Sequence, residues 1–276
     1  MVRSLLGRPT NVFASIVLFF LILMSFCPAL FTKDDPYALK PMERLQAPSF
    51  EHWLGTDENG RNIFTRIVYG TRTTVGLTLL SIILSLVLGV TVGLLAGYLG
   101  GIVEEVLMRF ADIMLAFPQL ILSMAIVAAL GQSMTNAMIG ISLAWWAQYA
   151  RIMNAEVKVI KNQPYVSASV ALGRHPIWIL TRHIFMNAFT PVMVKAILDI
   201  GLIMLNLAAL SFIGLGAKPP MPEWGAMIAW GRQYLLEYWW IPTFPGLAIF
   251  ITVMSFNFLG DWVRDILDPR SKMEAK

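Results

Sequence analysis

The chain of 276 residues is far more apolar than a soluble protein of this size: 57% of its residues are hydrophobic and only 14% are charged, against roughly 45–50% and 25% in soluble domains. The formal net charge of +4 comes from basic residues scattered between apolar runs, which argues against a nucleic-acid surface. Cys27 is the only cysteine, so an internal disulfide is excluded and a cysteine-based metal site is not expected. The sequence therefore predicts an all-α integral membrane protein.

The first predicted element is the uncharged stretch of residues 12–31, which follows Arg3 and Arg8. A signal peptide has a shorter apolar core, of roughly 7–15 residues, and a small-residue cleavage site that is not evident here. We therefore expect a retained anchor helix with its N-terminus in the cytoplasm. Residues 1–72 are assigned to this helix and to the polar external loop that follows it.

The second predicted span lies in residues 73–103, which carry no charge. As one helix this run would be about 46 Å long, more than the roughly 30 Å of a bilayer core, so we expect the helix to end near Tyr98. Gly89, Gly93 and Gly97 recur every four residues. This spacing is typical of closely packed membrane helices, and a face that lines a transport path is the alternative.

A third uncharged run, residues 113–150, is too long for one span and predicts a helical hairpin. The turn is expected within residues 131–136, and Pro118 is expected to kink the first arm. A short charged patch precedes the hairpin. The hairpin returns the chain to the cytoplasmic side at Arg151.

Residues 151–190 form the long polar interruption in the second half of the chain. A short helix is predicted from Pro164 to Leu172, because proline can open a helix and Gly173 can end it in the left-handed conformation. A second helix is expected from Pro176 toward Asn187. Small side chains inside the first helix would let another surface approach its backbone, although an ordinary amphipathic loop helix is the plainer alternative.

The fifth span is predicted from Pro191 to about Leu215 and contains Asp199 and Asn206 on one helical face. A carboxylate facing lipid would cost several kcal/mol, so Asp199 is expected to point into the bundle or a water-filled cavity. We expect these two residues on a translocation path. A hydrogen bond to a partner chain is the alternative.

An outer segment rich in tryptophan and tyrosine follows, from Lys218 to Thr243. It predicts a helix that begins at Glu223 and lies at the membrane interface, with a platform for a docking protein as the alternative. Residues 244–260 form the sixth predicted span. The transmembrane domain is thus assigned to residues 73–265, and residues 266–276 to a cytoplasmic tail whose basic residues agree with the positive-inside rule.

Three separated segments resemble motifs of one family. His52–Arg61 is similar to LGTDxxGRD, with Asn62 in place of the final Asp, and residues 210–225 are similar to LSFLGLGxxPPxPEWG. Residues 167–173 resemble the EAA loop, with Ser167 in place of its Glu and Met186 in place of a later Pro. These are motifs of the permease subunits of bacterial ABC importers, in the peptide and nickel branch, and within it the subunit with the short N-terminal helix.

The resemblance implies a type I ABC importer permease fold, with six transmembrane helices and a cytoplasmic coupling helix that docks in a cleft of the ATPase subunit. It implies four kinds of partner: a second, non-identical permease subunit, two ATPase subunits or domains that hold ATP and Mg²⁺, an external substrate-binding protein, and the lipid of a bacterial inner membrane. The implied coupling residues are Pro164, Val166, Ser167, Ala168, Ser169, Leu172 and Gly173. The residues expected on the binding-protein side are Asp57, Arg61, Glu223 and Trp224.

The sequence carries few motifs for catalysis, nucleotide binding or metal binding. It contains no P-loop, and His52, His175 and His183 do not have zinc-binding spacings. We therefore predict a transport subunit rather than an enzyme, without a bound metal or cofactor. A self-sufficient secondary transporter would be expected to show repeats and several intramembrane charges. Di- and oligopeptides are the expected substrates, and nickel or a metal–chelator or opine complex is the alternative.

Overall fold

The computed structural model describes residues 9–267. The secondary-structure elements of this part are helices, apart from one isolated bridge between Thr56 and Asn62. The main helices, in chain order, are α1 (Pro9–Phe26), α2 (Ile63–Leu99), α3 (Gly101–Leu115), α4 (Gln119–Leu130), α5 (Met134–Lys161), α6 (Pro164–Ala171), α7 (Pro176–Phe212), α8 (Trp224–Gly231) and α9 (Trp240–Leu267).

Helices α1, α2, α7 and α9 are long and apolar enough to cross a membrane. Helices α3 and α4 form a fifth candidate span if they are counted together, although they are bent by 95° at the break between them. Helix α5 has 28 residues, about 42 Å at 1.5 Å per residue, but it carries more polar side chains. The predicted count of six spans therefore stays a prediction.

The predicted boundary of the external loop at residue 72 is wrong, because α2 begins at Ile63. The side chain of Asn62 caps this helix by accepting a hydrogen bond from the backbone N–H of Phe64 (3.0 Å). Arg66 and Arg72 suggested a loop, yet both lie within the helix, and Arg66 is fully buried. Its guanidinium donates to Pro36 O (3.1 Å) and Pro220 O (3.3 Å) and lies 3.7 Å from Asp57 Oδ2, so Arg66 does not mark a solvent boundary.

The predicted hairpin is present, and its first arm is bent by 95° between α3 and α4. Gly131, with φ of +94°, ends α4, and the side chain of Ser133 caps α5 by accepting from the N–H of Asn136 (3.0 Å). The turn therefore falls where the sequence placed it. Pro118, predicted to kink the first arm, instead separates α3 from α4, because a proline lacks the N–H that a continuous helix needs.

The predicted division between the loop helix and the fifth span is also wrong. Helix α7 runs without a break from Pro176 to Phe212, so it does not end at Asn187 and Pro191 lies in its interior. A wider π-helical turn, Leu180–Phe185, precedes the proline. The proline removes one backbone hydrogen bond, and the helix continues past it.

The ends of the chain differ from the predicted spans by a few residues. Helix α1 covers Pro9–Phe26 rather than residues 12–31, and α9 is longer than the predicted 244–260. The tail assigned to residues 266–276 begins within α9, and its basic residues lie outside the described residues.

The core of the fold is the tight contact between α2 and α5. A Cβ on Gly93 would lie 2.7 Å from the Cβ of Met153 and still closer to the carbonyl oxygen of Ala150. Gly89 and Gly97 meet α5 in the same way one turn before and after. The glycine spacing therefore serves helix packing within the chain, as predicted, and this face does not line a path.

We expect Gly93→Ala to lower the free energy of unfolding by about 1–3 kcal/mol, because the added methyl group overfills the α2–α5 contact. Gly76→Ala is the matched control on the same helix, since its Cβ would have no atom within 4 Å. Thermal unfolding in detergent compares the two variants. An equal stability of the two would contradict the packing role of Gly93.

Candidate functional site

The segment from Pro164 to Arg174 is a short helix with well-defined ends. Pro164 occupies the first turn of α6, where its missing N–H is not needed. Gly173 adopts φ of +71° and donates its N–H to Val170 O (2.9 Å), while the N–H of Arg174 donates to Ser169 O (3.2 Å). This geometry agrees with the predicted helix and with its glycine end.

Helix α6 rests on a single buried side chain. Val166 is 3% exposed and joins the hydrophobic core together with Ile179 and Ile184. Leu172 is 80% exposed, and Ser167 and Ala168 are also exposed. The helix is therefore anchored on one side and open on the other.

The open side is unusually apolar for a polar segment. Its exposed large side chains are Tyr165, Val170, Leu172 and Ile177. Basic residues, Lys161 and Arg174, flank them and are exposed as well. A contiguous apolar surface with a charged rim is typical of a protein–protein contact.

The corner after α6 is held by an aromatic cluster. The ring of His183 lies 3.2 Å from Ser169 Oγ and contacts the rings of Tyr165 and Trp178, with centroids 5.6 Å and 4.8 Å away. The guanidinium of Arg174 stacks on Trp178 at 4.8 Å. His183, which the sequence analysis considered only as a metal ligand, therefore fixes α6 to the start of α7.

A cavity of about 460 Å³ lies elsewhere, between α7, α8 and α9, but a larger one of about 540 Å³ borders α6. This second cavity is lined by Val166, Ser167 and Arg174 and, across it, by Tyr98 and Lys161. Lys161 Nζ donates to Tyr98 O (2.6 Å) at the end of α2. A groove lined on α6 by Val166 and Ser167 therefore reaches from this helix to the end of α2.

The four residues expected on the binding-protein side are all buried in the chain itself: Asp57, Arg61, Glu223 and Trp224. Arg61 Nε donates to Asp57 Oδ2 (2.7 Å), and Arg66 Nε lies 3.7 Å from the same oxygen. The expectation that these side chains form an exposed surface is wrong, because each makes its contacts within the protein. Other residues of the same outer loops are exposed and accessible to a partner.

Glu223 is the N-cap of α8 and is 2% exposed. Its carboxylate accepts hydrogen bonds from the N–H groups of Gly225 (2.9 Å) and Ala226 (2.8 Å), and Thr74 Oγ1 on α2 donates to it (3.3 Å). Burial raises the pKa of this carboxyl above its usual range, against these hydrogen bonds. The indole N–H of Trp224 donates to Ile67 O (3.0 Å). Glu223 and Trp224 thus attach the outer segment to α2.

Asp199 lies inside the helical bundle, as the cost of a carboxylate in lipid requires. Tyr149 on α5 donates its O–H to Asp199 Oδ2 (3.2 Å), and Lys195 forms an ion pair with the other oxygen. Asn206 donates to Leu202 O on its own helix (2.8 Å). Sequence reasoning missed Lys195, although its position four residues before Asp199 was a visible signal.

No group of three or more His, Cys, Asp or Glu side chains suited to a metal ion occurs among residues 9–267. The polar clusters of this part of the chain are ion pairs and helix caps.

Comparison with protein families gives a match over residues 89–273 to the family described as "Binding-protein-dependent transport system inner membrane component". The chain is 40% identical over 271 residues to a probable D,D-dipeptide transport system permease protein of Escherichia coli strain K12, covering 98% of this chain and 91% of that protein. It is 41% identical over 257 residues to a dipeptide transport system permease protein of Alkalihalophilus pseudofirmus, covering 93% and 84%.

A nickel transport system permease protein of Escherichia coli strain K12 is similarly close. The chain is 40% identical to it over 260 residues, which cover 93% of this chain and 92% of that protein. Relatives that differ in the substrate given in their names are therefore almost equally similar to this chain.

Solved structures share the fold at low sequence identity. The MetNI methionine ABC transporter in an inward-facing conformation contains a chain with a TM-score of 0.58 and 19% identity, covering 74% of this chain and 97% of that one. A chain of an amino acid ABC transporter has a TM-score of 0.56 and 16% identity, covering 73% and 94%. These likenesses confirm the fold predicted from the sequence.

We expect Asp57→Asn to destabilise the protein by about 3–5 kcal/mol, because it leaves the buried Arg61 and Arg66 without their shared carboxylate. Asp35→Asn is the matched control, since it removes an exposed carboxylate from the same loop. Unfolding midpoints in detergent measure the difference. A midpoint for Asp57→Asn equal to that of the control would contradict the buried ion-pair cluster.

Proposed function

Because this chain belongs to the family of inner membrane components of binding-protein-dependent transport systems, we propose that it is the permease subunit through which an ATP-driven importer carries di- and oligopeptides into a bacterial cell. The predicted family is thereby confirmed. The chain is a transport subunit and not an enzyme, and hydrolysis of ATP with Mg²⁺ belongs to separate ATPase subunits. The observation that carries the proposal is the anchored but open helix α6.

Helix α6 suits the transmission of force between two proteins. A coupling element must be rigid toward its own chain and complementary toward its partner. The prolines, Gly173 and the aromatic cluster around His183 supply the rigidity, and the small Ser167 and Ala168 let a partner cleft approach the backbone. Closure of the ATPase subunits would then move α6 together with α5 and α7, and so alternate the access of the path.

Two relatives with "dipeptide" in their names, at 40% and 41% identity, support peptides as the substrates. The nickel relative, at 40% identity, supports the alternative of nickel or a metal–chelator or opine complex. In both cases an external binding protein would deliver the substrate. The permease assembly would consist of this chain and a second, non-identical permease subunit, with two ATPase subunits or domains on the cytoplasmic side.

In the proposed topology both termini lie in the cytoplasm, together with α6 and the start of α7. The outer loop before α2 and the segment between α7 and α9 lie on the opposite side. Among the exposed apolar residues of these outer parts are Met42, Phe50, Trp53 and Leu236. These residues, rather than the four buried ones, are the accessible groups for a binding protein or for the lipid surface.

Ala168→Trp is expected to abolish peptide uptake, by at least about tenfold, while the chain still reaches the membrane, because the indole overfills the contact with the ATPase subunit. The matched control is Ala116→Trp, at an exposed alanine outside the coupling segment. Uptake of labelled peptide and co-purification of the ATPase subunits measure the effect. Normal uptake with normal association in Ala168→Trp would refute the coupling role.

The topology predicts which single cysteines react with a membrane-impermeant maleimide in intact cells. In a Cys27→Ser background, Glu51→Cys and Lys218→Cys should react from outside, and Lys161→Cys should react only after permeabilisation. All three side chains are exposed, so burial does not protect any of them. Cys27 must be replaced because it is exposed as well. The reverse labelling pattern would overturn the orientation.

A further inference from the structure

Helix α7 has one open face in its membrane-spanning part. Leu202, Leu205 and Phe212 are each more than a third exposed, while the opposite side of the helix is buried against α5 and α2. At 3.6 residues per turn these three side chains share one sector of the helix, and Lys195 lies at the edge of the same sector. This sector, which we call the open face, borders the cavity between α7, α8 and α9 through Leu205 and Phe212.

The open face carries two polar side chains, Lys195 and Asn206. The amide of Asn206 already donates to Leu202 O on its own helix. Lys195 differs, because its side chain is 37% exposed although its ion-pair partner Asp199 is only 2% exposed. The exposed charge on this face is therefore positive.

The carboxylate of Asp199 is not free to bind a cationic substrate, because its two oxygens already bond Tyr149 and Lys195. A lysine ammonium has three N–H donors, and one of them is directed to Asp199. Asp199 is the hydrogen-bond partner of this ammonium among the described residues, which leaves the group two further donors for a ligand.

Lys195 lies about one turn into the predicted fifth span, and a charged side chain within such a span faces the bundle interior, a partner or a water-filled cavity. We propose that Lys195 lines the translocation path and hydrogen-bonds the carboxylate of the passing peptide, with Asp199 and Tyr149 as positioning residues. Every free peptide ends in a carboxylate, so such a contact serves peptides of different sequence. Because Asp199 balances the ammonium, the contact is weak enough to release the substrate. This inference rests on the proposed peptide permease function.

The test uses the complete transporter in proteoliposomes, with the binding protein saturated by each of two probes: a peptide with a free C-terminal carboxylate and the same peptide as its C-terminal amide. We expect wild type to transport the free acid roughly ten- to a hundredfold faster than the amide, the range of one charge-assisted hydrogen bond. Lys195→Met should remove this preference by slowing the acid form alone. Lys195→Arg should retain it.

The control Lys218→Met removes an exposed lysine outside α7 and should keep the wild-type preference. Equal slowing of both probes by Lys195→Met, or an unchanged preference, would overturn the proposal. If Lys195→Met does not assemble, the neutral pair Lys195→Met with Asp199→Asn is measured in the same way, and failure of both to assemble shows a purely structural ion pair. No uptake of either probe by wild type would instead refute the proposed function.

Discussion

The close approach of α2 and α5 is the contact on which the rest of the structure depends. Gly89, Gly93 and Gly97 bring the backbone of α2 against backbone oxygens and Cβ atoms of α5. Helix α5 then presents Tyr149 to α7 in the middle of the bundle and leads, at its end, into the coupling helix. Membrane helices gain little from the hydrophobic effect when they associate in lipid, so such close packing supplies the attraction.

The buried charged residues Asp57, Arg61, Asp199 and Glu223 each have a hydrogen-bond partner within the chain. On the outer side, Asp57 forms ion pairs with Arg61 and Arg66, and the Glu223 carboxylate caps α8 by accepting from backbone N–H groups. These groups tie the outer loops to α2, so that the external surface moves with the bundle. Inside the bundle, Asp199 pairs with Lys195. Ion pairs within the chain therefore occur both in the outer loops and inside the bundle, on α7.

Helix α6, the proposed coupling helix, must be both attached to its own chain and accessible to a partner within a few residues. Val166 and the aromatic contacts of His183 hold it to α7, while Leu172 and Tyr165 remain open to a partner. Because α7 is one continuous helix, the segment that contacts α6 and the segment that carries Lys195 and Asp199 belong to the same element.

The sequence by itself determined the helical membrane fold, the family, the hairpin turn and the short helix α6, because apolar run length, glycine spacing and proline positions act locally along the chain. Tertiary structure decided which charged residues are buried. Asp57 and Glu223 were expected on the binding-protein side, and only the packing of α2 against the outer segment, where Arg66 donates to Pro220 O and Thr74 Oγ1 to Glu223, shows how these charges are buried. It also decided the sign of the exposed group on α7, because Tyr149, fifty residues before Asp199, helps to bury that carboxylate and leaves Lys195 exposed.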